Sequence, residues 1–302
     1  MTLTRDQTQL IKTAAGIMSD PANMQDAAFL ARQLVQATLP HSNPGDVEIW
    51  PRREGTAWLM IRRGYDGDTG KPYGLPYGSI PRLLLYWIIT EAVRTKSRRL
   101  SLGRSLNDFL RRVGLSPATG GGKRSDAARV RDQSMRLFTS AISFGGTARD
   151  EKGREGKVRA DMQIASGQQL WWSLKRPEER SLWESELTLG VEFYEAVTAA
   201  PVPLDYRALR ALKRSALGLD LYAWLVLAAF RANKSGKVIW ITWAALAKAL
   251  GAEYGRTTDF QQKARRELRK IQAVFTGLRL GQRRGGLEVL PDSIPPILPA
   301  RA

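Results

Sequence analysis

The chain has 302 residues, 43% hydrophobic and 25% charged, with 47 Lys+Arg against 29 Asp+Glu, a formal charge of +18. That length suits about two packed domains, and so basic a chain expects a polyanionic partner. With no cysteine, disulfides, Cys-based zinc sites and Cys nucleophiles are excluded together. No run of about 18 apolar residues offers a membrane span, and Met1 to Asp20 lack a basic-then-apolar leader pattern, so a cytoplasmic protein is expected.

Residues 1–45 read as an N-terminal helical extension. Asn23 is placed to cap a helix through Gln36, with Phe29, Leu30 and Leu34 apolar, before a Pro40 to Gly45 loop. Thr56 to Arg63 alternates as a strand. Gly64 to Gly78, with five glycines and two prolines, is a turn-rich connection. Ser79 is a candidate N-cap, with Pro81 in the first turn, where a missing N–H costs nothing. Leu83 to Ile89 are nearly all apolar, which predicts a helix buried on most sides. It turns basic at Arg94, Lys96, Arg98 and Arg99, ahead of a short extended piece, Leu100 to Leu102. Ser105 opens a second helix, with Asp108 at the capping-box position. Leu106, Phe109, Leu110 and Val113 make one apolar stripe, and Gly114 is a good stop.

Ser116 to Lys123 contains Ala-Thr-Gly-Gly-Gly-Lys, which invites comparison with a phosphate-binding loop. Pro117 stands where the first glycine is needed, Arg124 replaces the Ser/Thr, and no strand precedes, so a flexible turn is expected instead. Ser125 caps a third helix to about Ile142. Val130, Ser134, Leu137, Phe138 and Ala141 line one side, and Arg129, Asp132, Gln133 and Arg136 the other. Gly145 to Gly156 follows as a basic tip carrying Arg149, Lys152 and Arg154. Val158 to Ile164, Gln169 to Leu174 and Leu182 to Gly190 read as strands, with a turn at Pro177 to Arg180.

Ala199 to Pro203 reads as a linker and domain boundary. Asp205 starts a helix, Leu219 to Phe230 is another, almost wholly buried, and Val238 to Ile241 is a short strand. Thr242 caps a helix with Trp243, Leu246 and Leu250, stopped at Gly251. Thr258 and Gln261 suggest a capping box for the last long helix, to about Phe275. Its dry face is Phe260, Ala264, Leu268, Ile271 and Phe275, and its wet face Gln262, Arg265, Arg266 and Arg269. Leu278 to Leu280 and Leu287 to Val289 flank a hairpin whose tip holds Arg283 and Arg284. Residues 291–302 read as a loose Pro-rich tail.

The same order occurs twice: buried helix, short strand, short capped helix, glycine break, basic amphipathic helix, basic hairpin. This predicts an α+β, mainly α, chain with two tandem winged-helix domains, residues 46–198 and 199–290, between the N-terminal extension and the tail. An α-helix fits the major groove, Arg pairs bidentately with guanine and Gln with adenine, and basic wing tips reach phosphates. The expected DNA-binding residues are therefore Arg124, Arg129, Gln133, Arg136, Arg149, Lys152 and Arg154 in the first domain. In the second they are Gln262, Arg265, Arg266, Arg269, Arg283 and Arg284, with the main base reading assigned to that domain.

Pro76 to Leu85, Trp87, Thr90 to Ser97, Leu102 to Leu106, Phe109-Leu110 and Arg131 to Phe138 together resemble the RepA-type plasmid replication initiators of bacteria. The resemblance implies a cytoplasmic protein with tandem winged helices that binds direct repeats in a plasmid origin as double-stranded DNA and helps open an AT-rich segment. It further implies recruitment of the host initiator ATPase and replicative helicase, repression of its own promoter, and a homodimer in that role. It brings no catalytic centre, cofactor or metal. A metal-dependent nicking tyrosine needs a His pair, and this chain has one histidine, His41, read as a loop residue. A Ser-His-Asp triad would need the same His41 with no supporting elbow motif. Trp171 and Trp172 are candidates to stack on single-stranded bases, or to pack beneath the wing. A winged-helix transcriptional repressor without a replication role, and a chromosome or partition adaptor, remain the other readings.

Overall fold

The computed structural model describes residues 4–36, 38–54, 57–117, 125–149, 154–170, 176, 178–182 and 184–297. Helices and strands are mixed along the chain, as the α+β reading requires. The chain forms two compact units, one of residues 42–201 and one that joins 1–41 to 202–302.

Helix α1 (Arg5–Ser19) starts at Thr4, whose hydroxyl accepts the Gln7 N–H while the Gln7 side chain accepts the Thr4 N–H. The single helix expected from Asn23 to Gln36 is not present. Asn23 caps one 3-10 turn, Met24–Asp26, followed by strand β1 (Ala27–Ala31) and helix α2 (Arg32–Gln36). All five residues of β1 are buried, and the strand is held by a partner about 170 residues away that no local pattern reveals.

Unit 42–201 begins with β2 (Ile49–Glu54) and β3 (Ala57–Arg62), antiparallel with Ile49 opposite Arg62. A small pair, β4 (Gly64–Tyr65) and β5 (Pro72–Gly74), lies within the glycine-rich connection. Helix α3 (Ser79–Thr95) is buried continuously from Ser79 to Thr90. Its cap is Gly78, at φ 80 and without a side-chain bond, so Ser79 is the first helical residue rather than the N-cap. Then come β6 (Arg99–Gly103), α4 (Leu106–Arg112) and α5 (Asp126–Phe138). Ser105 accepts the Asp108 N–H, and Leu106, Phe109, Leu110 and Val113 are all buried. Gly114 takes φ 83. The rest is β7 (Ala141–Arg149), β8 (Glu155–Gln163), β9 (Ala165–Gln169), β10 (Ser185–Leu189) and α6 (Val191–Ala199). Helix α5 stops at Phe138, short of Ile142, because Ala141 already pairs with Arg62.

Strand pairing departs from the expected pattern here. The long β7–β8 hairpin joins β2 and β3 in a four-stranded sheet, in the order β2-β3-β7-β8. It does not pair with β6. The strand that returns to β6 is β10, in a three-stranded sheet ordered β6-β10-β9.

The expected linker at 199–203 is instead the end of α6 and the start of strand β11 (Pro201–Asp205), the partner of β1, and from residue 202 the chain belongs to the other unit. Asp205 caps α7 (Tyr206–Leu212), and Ser215 caps α8 (Ala216–Ser235), buried from Leu217 to Ala229. Strand β12 (Ile239–Thr242), α9 (Trp243–Ala249), α10 (Thr257–Val274) and β13 (Gly286–Val289) follow, with β12 and β13 antiparallel. The N-terminal segment is built into this unit. The Thr38 hydroxyl donates to the Leu250 carbonyl at 2.7 Å, and His41 Nε2 lies 2.8 Å from Asp220 Oδ2. His41 lies in a loop, as expected, and Asp220 anchors it there. The tail is packed as far as Ile297: the Ser293 hydroxyl accepts the Arg279 N–H and donates to its carbonyl.

Candidate nucleic-acid interface

The clearest candidate is α10 with the elements that hold it. The Thr242 hydroxyl accepts the Ala245 N–H and starts α9. Gly251, at φ 63, turns the chain, and the Ala252 N–H closes on the Ala247 carbonyl at 2.9 Å. Helix α10 then runs for 18 residues, about 27 Å. Its cap is Arg256, without a side-chain bond, so the Thr258–Gln261 capping box does not form. The dry face is as expected: Phe260, Ala264, Leu268, Ile271 and Phe275 are all buried, with Val274 beside them. Burying Phe260, Leu268, Ile271 and Phe275 contributes about 1.5–3 kcal/mol each, which holds α10 by its dry face. Phe260 is edge-on to Trp243, its ring 6.5 Å away, and 5.8 Å from the Tyr254 ring.

The wet face is equally clear. Gln262, Arg265, Arg266 and Arg269 are all exposed on α10. The Arg265 guanidinium lies 5.8 Å from the Trp243 ring, which limits its sweep. Lys263, exposed and 5.0 Å from the Tyr254 ring, and Arg256 at the cap extend the cationic face beyond the expected residues. Between the two faces sits Glu267, 2% exposed, receiving two hydrogen bonds from Lys270 Nζ at 2.9 and 3.0 Å. Arg266 Nε is 3.6 Å from the same carboxylate. A Cβ at Gly218, in the first turn of α8, would lie 2.9 Å from Glu267 Oε2, so the carboxylate occupies the positive end of that helix. The nearby Tyr254 hydroxyl is pushed above its usual pKa by burial first, then by the Glu267 charge.

After α10 the chain returns through a turn at residues 281–286 onto β13. The Gly281 N–H donates to Glu288 and the Leu290 N–H to Arg279, both at 2.9 Å. Arg283 and Arg284 are exposed at the tip, with the Arg283 guanidinium 4.4 Å from the Trp240 ring.

In unit 42–201 the expected residues scatter. Gln133 is 4% exposed and accepts the Tyr77 N–H at 2.8 Å, so it faces inward and is removed from the base-reading set. Its position one step from the Val130–Ser134 stripe puts it under the chain leading into α3. Arg136 is drawn the same way: it donates to Asp132 at 3.0 Å and to the Leu75 carbonyl at 3.3 Å, and lies 5.4 Å from the Tyr77 ring. Arg129 is exposed, as is Arg131, which the helical pattern alone does not single out. Arg149 ends β7 opposite Glu155, and Arg154 is exposed just before β8, so both sit on the sheet hairpin rather than on a strand paired with β6. Arg124, Lys152, Trp171 and Trp172 lie outside the described residues.

Among the described residues no group of three or more His, Cys, Asp or Glu side chains is arranged to hold a metal. No described helix is long and apolar enough to cross a membrane.

No curated protein matches this chain. It is similar to a crystal structure of selenomethionine derivatives of domains 2 and 3 of RctB, at 16% identity and TM-score 0.49 over 86% of this chain and 96% of that one. It is also similar to a second crystal structure of RctB domains 2–3, at 17% identity and TM-score 0.46 over 85% and 94% of the two chains. A family model described as plasmid encoded RepA protein matches residues 75–245, more than half of the chain. The chain belongs to the plasmid-encoded RepA family of replication initiators.

Proposed function

We propose that the protein is an origin-binding initiator that grips duplex DNA with a winged-helix arrangement in unit 1–41/202–302. The observation that carries this is the exposed Gln262, Arg265, Arg266 and Arg269 face of α10, standing on a buried apolar base. A helix of that width enters the major groove, where Arg reads guanine and Gln reads adenine. Arg283 and Arg284, on the turn that brings β13 back to β12, are placed to meet phosphate. Unit 42–201 repeats the order α3, β6, α4, α5, with β10 closing back on β6. It contributes further backbone contacts, through Arg129 and Arg131, and a homodimer contact. Direct repeats in a plasmid origin are the target, in the bacterial cytoplasm, and the host initiator ATPase and replicative helicase are the partners to be recruited.

The test is a plasmid carrying this gene beside direct repeats of about 20 base pairs, two turns of duplex. Replication in a host, and its loss when α10 is altered, would support the reading. Binding only to a lone promoter palindrome, with no replication, would replace it by a repressor.

A further inference from the structure

The face of the four-stranded sheet that points away from its unit's core is chemically unlike an ordinary solvated surface. The inner face is the core: Trp50, Leu59, Ile61, Ile142 and Met162 are all buried. On the other face the register lines up Arg53, Trp58, Gly145 and Arg159 in one row across all four strands. The Trp58 indole lies directly over Gly145, where a Cβ would meet its ring atoms at 2.1 and 2.2 Å. No larger residue fits beneath it, so the indole is laid down on the sheet. The Arg159 guanidinium is 6.0 Å from the indole centre and is steadied by Asp161 at 2.6 and 2.9 Å. Arg53, Lys157 and Arg62 are exposed around it. Ile49, 42% exposed, adds an apolar edge.

We infer that this sheet face is a second nucleic-acid site, one that takes a single strand by stacking an unpaired base on Trp58 while Arg53, Lys157 and Arg159 hold its phosphates. An aromatic ring on an open antiparallel sheet offers its π-face to any unpaired base, and flanking cations track the backbone. A duplex keeps its base faces covered, so the indole selects against it. The surrounding positive charge argues against a neutral or basic protein surface as the occupant. The site is in a different unit from α10 and does not depend on the duplex reading.

The experiment measures binding of the full chain to oligo(dT), oligo(rU) and a random duplex, by fluorescence anisotropy. Trp58→Ala should weaken single-strand binding about 5- to 150-fold, the loss of one stacked base. Trp58→Phe should recover most of it, and duplex affinity should stay unchanged in both. Whichever of the DNA or RNA strand binds the wild type more tightly identifies the natural source. If Trp58→Ala does not fold, Arg53→Glu with Lys157→Glu decides, since both side chains are exposed: a loss confined to single strands is expected. Unchanged single-strand binding, or equal losses on single strand and duplex, would overturn the inference. So would a wild-type dimer in sedimentation that Trp58→Ala splits without affecting oligo(dT).

Discussion

Replacing Arg265 and Arg269 together by lysine separates charge from geometry. Lysine keeps the cation but lacks the planar fork that pairs with guanine. The two arginines are four residues apart on one exposed face of α10, about 6 Å along the axis at 1.5 Å per residue. Duplex DNA rises about 3.4 Å per base pair, so in the proposed complex the pair would reach base pairs roughly two steps apart. Removing one bidentate pairing costs about 1–3 kcal/mol of discrimination, so removing two reduces the preference for an origin repeat over a scrambled duplex by at least roughly 30-fold. Folding should barely change, because both side chains are exposed and the Arg265 interaction with Trp243 is a cation–π pair of about 0.5–1 kcal/mol that lysine partly keeps. The salt dependence should also stay the same, because the number of cations near phosphate is unaltered. Competition binding at several salt concentrations measures both. An unchanged preference for the origin repeat would refute base reading by α10.

Replacing Arg283 and Arg284 by alanine should weaken binding to every duplex alike and lower the salt slope by about 0.9 for each phosphate that is no longer neutralised; a weakening limited to one sequence would mean that the tip reads bases. Gln133→Ala should destabilise unit 42–201 by about 1–3 kcal/mol in urea, because the Tyr77 N–H is left without its acceptor, and should leave DNA specificity alone. Reduced specificity at full stability would return Gln133 to the interface. Asp66 accepts hydrogen bonds first from the Tyr73 hydroxyl and then from Thr69, which hold its carboxyl down at about 2 from 3.8. Its contribution is therefore present above 3.8 and lost as pH falls through about 2, so Asp66→Asn should flatten the rise of stability with pH in that window. Urea midpoints taken across it test this, and an identical slope in the variant would disprove it.

Local pattern is a sound guide wherever spacing within a turn or two of helix decides. The Leu106–Val113 stripe, the Ser105 and Thr242 caps, the Gly114 and Gly251 stops and both faces of α10 all follow from it. Where long-range partners decide, local pattern misleads. Ala27–Ala31 is apolar enough for a helix, but β11 makes it a strand. The hairpin after α5 has the composition of a wing, yet β2 and β3 claim it and β10 takes its place against β6. Gln133 reads as wet because glutamine usually is; the Tyr77 amide, 56 residues away, turns it inward. Ser79 and Thr258 are attractive caps by residue type, but neither offers a side chain to the first turn. Trp58 carries no local signal, because only the register with Gly145 and Arg159 puts it on the sheet face opposite the core.

The most direct measurement is methylation protection of guanine N7 on origin DNA, since that atom lies in the major groove where a reading helix must sit. Wild-type protein should protect guanines at a fixed place in each direct repeat, and the Arg265→Lys, Arg269→Lys variant should leave those same guanines reactive while still binding. Full protection by the variant, or none by the wild type at saturating binding, would contradict a base-reading role for α10.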